Sequence, residues 1–272
     1  MKPINEQTIL ITGSTDGIGK LAALKLAEQN AHVLVHGRNK EKVNKVVEEL
    51  KSETGNKNID GLTADFSSLK EVKKLAEEIL SKYKSIDVLI NNAGVGFDEF
   101  SKSKDGYELR FAVNHLAPFL FTRTLLPALK NAAPSRIVNV SSAGQYPIDF
   151  DDIMSEKNFD GVTAYRKSKL ALIIFTMDLA EQLKNENITV NSLHPGTYLD
   201  TNMVRNANIT PWGKAETGAE AEVYLATSPK LNNITGKYFN VKTEARADSQ
   251  AYDKSARKRL WDLSLELTKL DW

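Results

Sequence analysis

Thr8-Ile9-Leu10-Ile11-Thr12-Gly13-Ser14-Thr15-Asp16-Gly17-Ile18-Gly19-Lys20 is the stretch on which the fold turns. Its first residues are apolar and β-branched, the composition of a strand buried on both faces of a parallel sheet. Three glycines follow, at 13, 17 and 19, and then a helical pattern from Lys20 to Gln29. Strand, glycine-rich turn and helix in that order make a phosphate cradle. Glycine permits a tight turn and close backbone approach, and the helix N-terminus offers free N–H groups with a partial positive charge. The spacing is Gly-x3-Gly-x-Gly, not Gly-x-Gly-x-x-Gly. A turn-rich linker has similar composition but lacks the strand before and the helix after. Gly13, Ser14, Thr15, Gly17, Ile18 and Gly19 are therefore expected to hold a dinucleotide.

The alternation continues outward. Ala31 to His36 is a second strand, ending in Gly37-Arg38-Asn39. An NAD enzyme would carry an acid here for the adenosine ribose hydroxyls, whereas arginine suits the extra phosphate of NADP. No Asp or Glu lies between Ala31 and Lys40, so Arg38 favours NADP(H) over NAD(H). The bland alternative for Arg38 is a solvated loop residue. Lys40 to Glu53 reads as an amphipathic helix, Ile59 to Ala64 as a strand ending in Asp65-Phe66, and Ser68 to Tyr83 as a helix. Ile86 to Ile90 is a strand ending in Asn91-Asn92-Ala93-Gly94. Such alternation with short connections implies an α/β, doubly wound parallel sheet that binds ligands outside the C-terminal ends of its strands.

A helical pattern from about Tyr107 to Lys130 contains Asn114 and Pro118. Proline has no N–H, so in a regular helix the Asn114 carbonyl loses its i+4 donor and is free to hold a water; structurally this is only a kink. Arg136 to Ser142 is a further strand, and the acidic segment Asp149 to Asn158 reads as a loop or short helix beside the site entrance. Ile188 to Leu193 is the next strand, ending in His194-Pro195-Gly196. Thr197 to Lys214 has little periodicity and reads as a lid or substrate wall, with Tyr198, Met203, Ile209 and Trp212 interspersed. Helix returns from Glu216 to Ala226, then a strand near Gly236 to Asn240. A last helix from Ala256 to Leu267 docks on the core or touches a membrane or partner.

Ala164-Tyr165-Arg166-Lys167-Ser168-Lys169 opens the apolar run Leu170 to Phe175. One helical turn puts Tyr165 and Lys169 on the same face. A neighbouring ammonium favours phenolate and is expected to draw the tyrosine pKa from about 10 towards neutrality. There it can give or take a proton, as a general acid or base must. The same spacing also arises as a half-buried tyrosine beside a solvated lysine, so the surrounding site decides its meaning.

Composition bounds the reading. With 272 residues, 41% hydrophobic and 26% charged, the chain is long enough for one large α/β domain or two small ones, and no repeat or linker marks a second domain. A net charge of +1 points to no nucleic acid. The absence of cysteine excludes disulfides, thiolate nucleophiles and cysteine-ligated metals. The four histidines are scattered without metal-binding spacing. No leader pattern and no long apolar run is present, so no membrane anchor and a cytoplasmic location are expected.

Together Thr12-Gly13-x3-Gly17-x-Gly19, Asn91-Asn92-Ala93-Gly94, Asn114, Ser142, Tyr165-x3-Lys169 and Pro195-Gly196 resemble the short-chain dehydrogenase/reductase family, in the family's order and over nearly the whole chain. The tail from Gly236 through Ser264 and the long gap between Ser142 and Tyr165 are similar to the branch of retinol dehydrogenases, the WW-domain oxidoreductase and protochlorophyllide reductase. The resemblance implies a single-domain Rossmann-type sheet of about seven strands with helices on both faces. It implies reversible hydride transfer between NADP(H) and a small-molecule carbonyl or alcohol. Tyr165 would be the general acid/base and Lys169 would lower its pKa and hold the nicotinamide ribose. Ser142 would stabilise the substrate oxygen, and the Asn114 carbonyl would anchor a water leading to Lys169. Asp65 would meet the adenine amino group, with Phe66, Asn92, Ala93, Pro195 and Gly196 also on the cofactor. Thr201 would reach its pyrophosphate or carboxamide, although relatives place that threonine where Asp200 stands.

Ser141 remains an alternative to Ser142, because the gap to the tyrosine is longer than in much of the family. Tyr198, Met203 and Trp212 suggest an apolar substrate, and a homodimer through the helices carrying Asn114 and Tyr165 is left open. The competing reading from another class is a dinucleotide-binding interaction protein with vestigial chemistry.

Overall fold

The computed structural model describes residues 1 to 270 except 98 and 158, so Asn158, the end of the acidic segment, lies outside the described residues. Strand β1 (Thr8–Ile11) pairs in parallel with β2 (His32–Gly37) on one side and β4 (Val88–Asn91) on the other. Beyond β2 lies β3 (Ile59–Thr63); beyond β4 lie β5 (Ser135–Val140), β6 (Ile188–His194) and β7 (Tyr238–Asn240), all parallel. The order reverses between β1 and β4, and the glycine-rich turn leaves β1 at that crevice, where open α/β sheets bind ligands.

The sheet has eight strands, one more than expected. The addition, β8 (Thr243–Ala245), returns antiparallel along β7. Thr-Glu-Ala on an exposed edge carries no apolar alternation, which is why pattern reading passes over it.

Helices α1 (Gly17–Ala27), α2 (Lys40–Thr54) and α8 (Ala215–Thr227) share one face of the sheet; α3 (Leu69–Lys82), α5 (Ala117–Ala132), α6 (Gly161–Gln182) and α9 (Lys254–Thr268) share the other. Strand pleating sorts the core between them: Ile9 and Ile11 point into the first layer and Leu10 into the second. Each fully buried side chain of this kind contributes about 1.5–3 kcal/mol. Side-chain oxygens of Asp16, Asn39, Ser68 and Asp160 cap α1, α2, α3 and α6, which fixes where each helix starts relative to the strand ends. The last helix docks on its own core through Leu260 and Trp261, and Arg257 pairs with Asp178 of α6 at 2.6 Å. None of the described helices is long and apolar enough to cross a membrane.

The expected helix across Pro118 is interrupted. After the single turn α4 (Leu109–Phe111), residues Ala112–Leu116 widen to a π-helix in which the Ala117 N–H reaches back to the Ala112 carbonyl, and α5 then carries Pro118 in its first turn. A wider turn accommodates both the missing donor and the ring, so the chain passes the proline without leaving the helix.

Candidate active site

The glycine-rich turn is built by close packing. Gly13 has φ +65°, and an added Cβ would lie 2.7 Å from the Ala93 Cα. A Cβ at Gly19 would collide with the Asn92 amide. Around them the Thr12 hydroxyl accepts the N–H groups of Asn92 and Ala93, each at 3.0 Å, and the Asn92 amide donates to the carbonyls of Thr12 and Gly13. The Asn92 side chain thus holds the turn in shape. Ser14 is fully buried, its hydroxyl donating to the Ile11 carbonyl and accepting from the His36 N–H. Gly17, Ile18 and Gly19 begin α1, and Thr15 lies against Gly37 beside the exposed Arg38. A cradle without side chains at a helix N-terminus fits a dinucleotide pyrophosphate.

Two further walls close on this cradle. Thr201 lies against Gly17, and at 2.5 Å the Asn202 amide donates to Asp16, tying α7 (Asn202–Asn206) to the turn. Pro195 packs on Gly218 of α8 and Gly196 on Leu199. Asp65 sits at the end of β3, where it accepts from the Ser67 N–H and pairs with Lys104 at 3.1 Å. Phe66 faces inward instead, its ring packed on His36 and Phe121, so only its backbone would be left to meet a cofactor.

At the C-terminal ends of β4 to β6 the second constellation assembles. Lys169 is 4% exposed and donates from Nζ to the Val140 carbonyl at 2.9 Å. A Cβ on Gly94 would come within 3.3 Å of that ammonium, so the glycine gives it room. The Asn114 side chain accepts from the Val95 N–H and donates to Val95 and to the Ser168 hydroxyl, which in turn donates to the Tyr165 carbonyl. Asn114 therefore ties the loop after β4 to the tyrosine helix.

The two serines divide. Ser141 donates to the Lys169 carbonyl at 2.9 Å, a helix-to-strand brace. The Ser142 side chain acts on Tyr165 so as to lower its pKa; its hydroxyl accepts the Gly144 N–H at 3.0 Å and its backbone carbonyl accepts from the Tyr238 hydroxyl. Of the two serines, Ser142 is thus the one whose side chain acts on the phenol.

The charge picture departs from expectation. Burial pushes the Tyr165 hydroxyl up to about 12, with the Ser142 hydrogen bond pulling the other way. Burial likewise pushes the Lys169 ammonium down to about 8, opposed by the charge of Glu222. Lys169 stands 5.6 Å from the tyrosine ring centre and directs its proton to a backbone carbonyl, so protein groups alone do not draw the phenol towards neutrality. Desolvation of the phenolate outweighs its neighbour.

Three contributors escape sequence reading. His36 accepts from the Gly13 N–H and donates to the Ala64 carbonyl, pinning the turn; its ring is buried and its pKa pushed down to about 4. Phe97 packs edge-on to Tyr165 at 4.6 Å between ring centres. Glu222 is fully buried on α8, and its spacing of four and three residues from Gly218 and Ala219 is the one signal that could have found it. Of the lid residues, Met203 touches Gly96 of the site, whereas Trp212 is 75% exposed and packs on Tyr198. Among the described residues no cluster suits a metal.

Comparison with known proteins agrees with this geometry. A family model described as short chain dehydrogenase matches residues 7–212. Retinol dehydrogenase 14 of Mus musculus is 37% identical over 285 residues, covering 95% of this chain and 84% of its own. Retinol dehydrogenase 11 of Homo sapiens is 37% identical over 275 residues, covering 97% and 86%. Among solved structures, an uncharacterised protein from Mycobacterium paratuberculosis superposes with a TM-score of 0.80 at 26% identity, over 98% of this chain and 94% of that one. The Pseudomonas aeruginosa RhlG complex with NADP superposes with a TM-score of 0.71 at 26% identity, over 88% and 97%. A phosphate cradle at the switch point, a Ser–Tyr–Lys cluster at the neighbouring strand ends and these relatives lead to one assignment: the chain belongs to the short-chain dehydrogenase/reductase family, in its retinol dehydrogenase branch, and is a nicotinamide-dependent oxidoreductase.

Proposed function

We propose that the protein reduces an apolar aldehyde or ketone with NADPH, or runs the reverse alcohol oxidation, with Tyr165 as general acid/base. The observation that carries this reading is the meeting of Tyr165, Ser142 and Lys169 beside the glycine cradle. When bound, the nicotinamide supplies or accepts the hydride and, oxidised, adds a positive charge to the site. The chain's own groups manage the proton. A phenol held near 12 is protonated at neutral pH, so Tyr165 is ready to hand its proton to a substrate oxygen as negative charge develops there. Ser142 donates to the same oxygen, and the phenolate left behind keeps the nearby Lys169 ammonium. Lys169, held near 8, is able to return a proton to the site.

Arg38 at the end of β2 supports NADP(H) over NAD(H), because a guanidinium beside the ribose matches a 2′-phosphate. Phe97 and Met203 support an apolar substrate, in keeping with relatives named for retinol. The proposal retains the cytoplasmic location expected from the sequence, to be checked by cell fractionation; recovery with membranes would overturn it. Purified protein should oxidise NADPH in the presence of apolar aldehydes, and Tyr165→Phe should remove that turnover. Rates indifferent to the substitution would end the assignment.

A further inference from the structure

Strand β5 ends at Val140, and the Ser141 N–H still bonds the Leu193 carbonyl of β6 at 2.7 Å. Ser142 stands one residue further on, outside the strand, so its backbone must be fixed by other means. A donor that stabilises developing charge works best when it is aimed before the charge appears.

Two side chains do the fixing. The Ser142 carbonyl accepts the Tyr238 hydroxyl at 3.1 Å and the Gln145 amide, also at 3.1 Å, which engages both of its lone pairs. Tyr238 is 4% exposed and reaches the end of β5 from β7, two strands over. Burial pushes its hydroxyl up to about 12, so it remains a donor throughout the neutral range. Gln145 is held from behind, its Oε1 accepting the Asp248 N–H at 2.7 Å. Nearby, Gln250 exchanges two bonds with the backbone of Ile148, at 2.6 and 3.0 Å. The turn after β5 is thus pinned by the C-terminal part of the chain.

With the carbonyl fixed, the side chain has little freedom left. The Ser142 hydroxyl accepts the Gly144 N–H at 3.0 Å. A hydroxyl has one proton to give and two lone pairs that receive, so an oxygen engaged as acceptor on one side turns its proton to another. That proton is the one Ser142 has for Tyr165 or for a substrate oxygen.

We propose that Tyr238 and Gln145 are positioning residues: they clamp the Ser142 carbonyl and so aim the Ser142 hydroxyl at the oxygen that reacts. The inference rests on the role proposed above for Ser142 and adds the two residues through which the C-terminal segment enters the reaction. Without the clamp the serine is present but unaimed, and a displacement of about 1 Å costs up to about 10²-fold in rate. Because both residues act through Ser142, their loss should matter only while that serine is there.

The test is a double-mutant cycle with NADPH and octanal on the parent protein, Tyr238→Phe, Ser142→Ala and the pair. Tyr238→Phe keeps the buried ring and removes one oxygen, and melting curves check that the fold is retained. It should lower kcat about tenfold with KM little changed. In the Ser142→Ala background the same substitution should change kcat by less than about twofold. Gln145→Met, at a half-buried position, should repeat the pattern and serves in its place if Tyr238→Phe melts early. A second readout needs no turnover: exchange of the Gly144 amide, followed by NMR, should quicken about tenfold in Tyr238→Phe while amides of β1 keep their rates. Equal losses in both serine backgrounds overturn the inference, as does an unchanged kcat with an unchanged Gly144 amide. A parent protein that reduces no aldehyde, yet whose Gly144 amide responds to Tyr238→Phe, supports the positioning of Ser142 while removing the proposed reaction.

Discussion

Glu222 and Lys169 approach one buried region from helices on opposite faces of the sheet, and each acts on the charge of the other. Neither carboxylate oxygen of Glu222 has a hydrogen-bond partner among the described residues. Burial pushes its carboxyl up to about 8, with Lys169 pulling back down. An acid whose folded pKa lies above its unfolded value holds its proton more tightly when folded. Its favourable contribution is complete below the unfolded value and is lost as pH rises through about 8. Replacing Glu222 with Gln should therefore stabilise the protein, by on the order of a few kcal/mol at pH 8 and much less at pH 5. Urea melts at the two pH values give the answer, and a parent that is the more stable at pH 8 would contradict it.

The same substitution has a catalytic consequence. The Glu222 charge is what raises the Lys169 pKa against burial. Without it the lysine should lose its proton at lower pH, and the pH profile of kcat should move to the acid side. A profile that does not move would separate Glu222 from the reaction.

Ser142 and Ser141 should separate cleanly. Ser142→Ala removes the donor beside Tyr165, and loss of one such donor costs about 10²–10³ in kcat. Ser141→Ala removes a brace on the Lys169 carbonyl and should cost about 0.5–1.5 kcal/mol of stability instead. Steady-state kinetics beside melting curves distinguish them, and the reverse pattern would move the active-site role to Ser141.

Arg38→Asp should exchange cofactor preference. Loss of a charge-assisted contact of about 1.5–3 kcal/mol predicts at least a tenfold rise in KM for NADPH. The new carboxylate should at the same time favour NADH through the ribose hydroxyls. A KM for NADPH that stays put would mean that the arginine is only solvated.

Acid should unfold the protein partly through its histidines. Burial lowers His36 and His194 to about 4 and His115 to about 3. Each neutral ring contributes stability above its unfolded value near 6.5, and that contribution is lost as pH falls through the folded value. His115→Phe should flatten the fall in urea midpoint between pH 7 and pH 4. Ser264 would keep its bond to the Leu260 carbonyl, so no orphaned hydroxyl confuses the result. An equally steep fall in the variant would argue against it.

What could be read in advance was local. Thr8 to Gly19 declares strand, turn and helix because glycine and β-branched residues act within a few bonds of themselves. Tyr165 and Lys169 meet by helical spacing alone. The direction of the Tyr165 shift was not legible, because it depends on how much protein covers the phenol, and that cover comes from elements distant in the chain. Phe97 looks like an ordinary loop residue until the fold closes around it. The resemblance puts Asn92 on the cofactor; that its amide also donates to two carbonyls of the turn is a contact only the fold shows.

The outermost strand has a consequence for how the protein behaves in a crowd. Open sheets end in unpaired amides that can template a neighbour's backbone. Here β8 is only three residues long, Thr243 and Glu244 are exposed on it, and Glu244 is paired with Lys237 at 2.9 Å. At the opposite border Asp60 of β3 is held by His32 and Tyr83. Both borders carry charge where a fibril would need a flat, oily seam, so concentrated solutions should resist stacking strand upon strand.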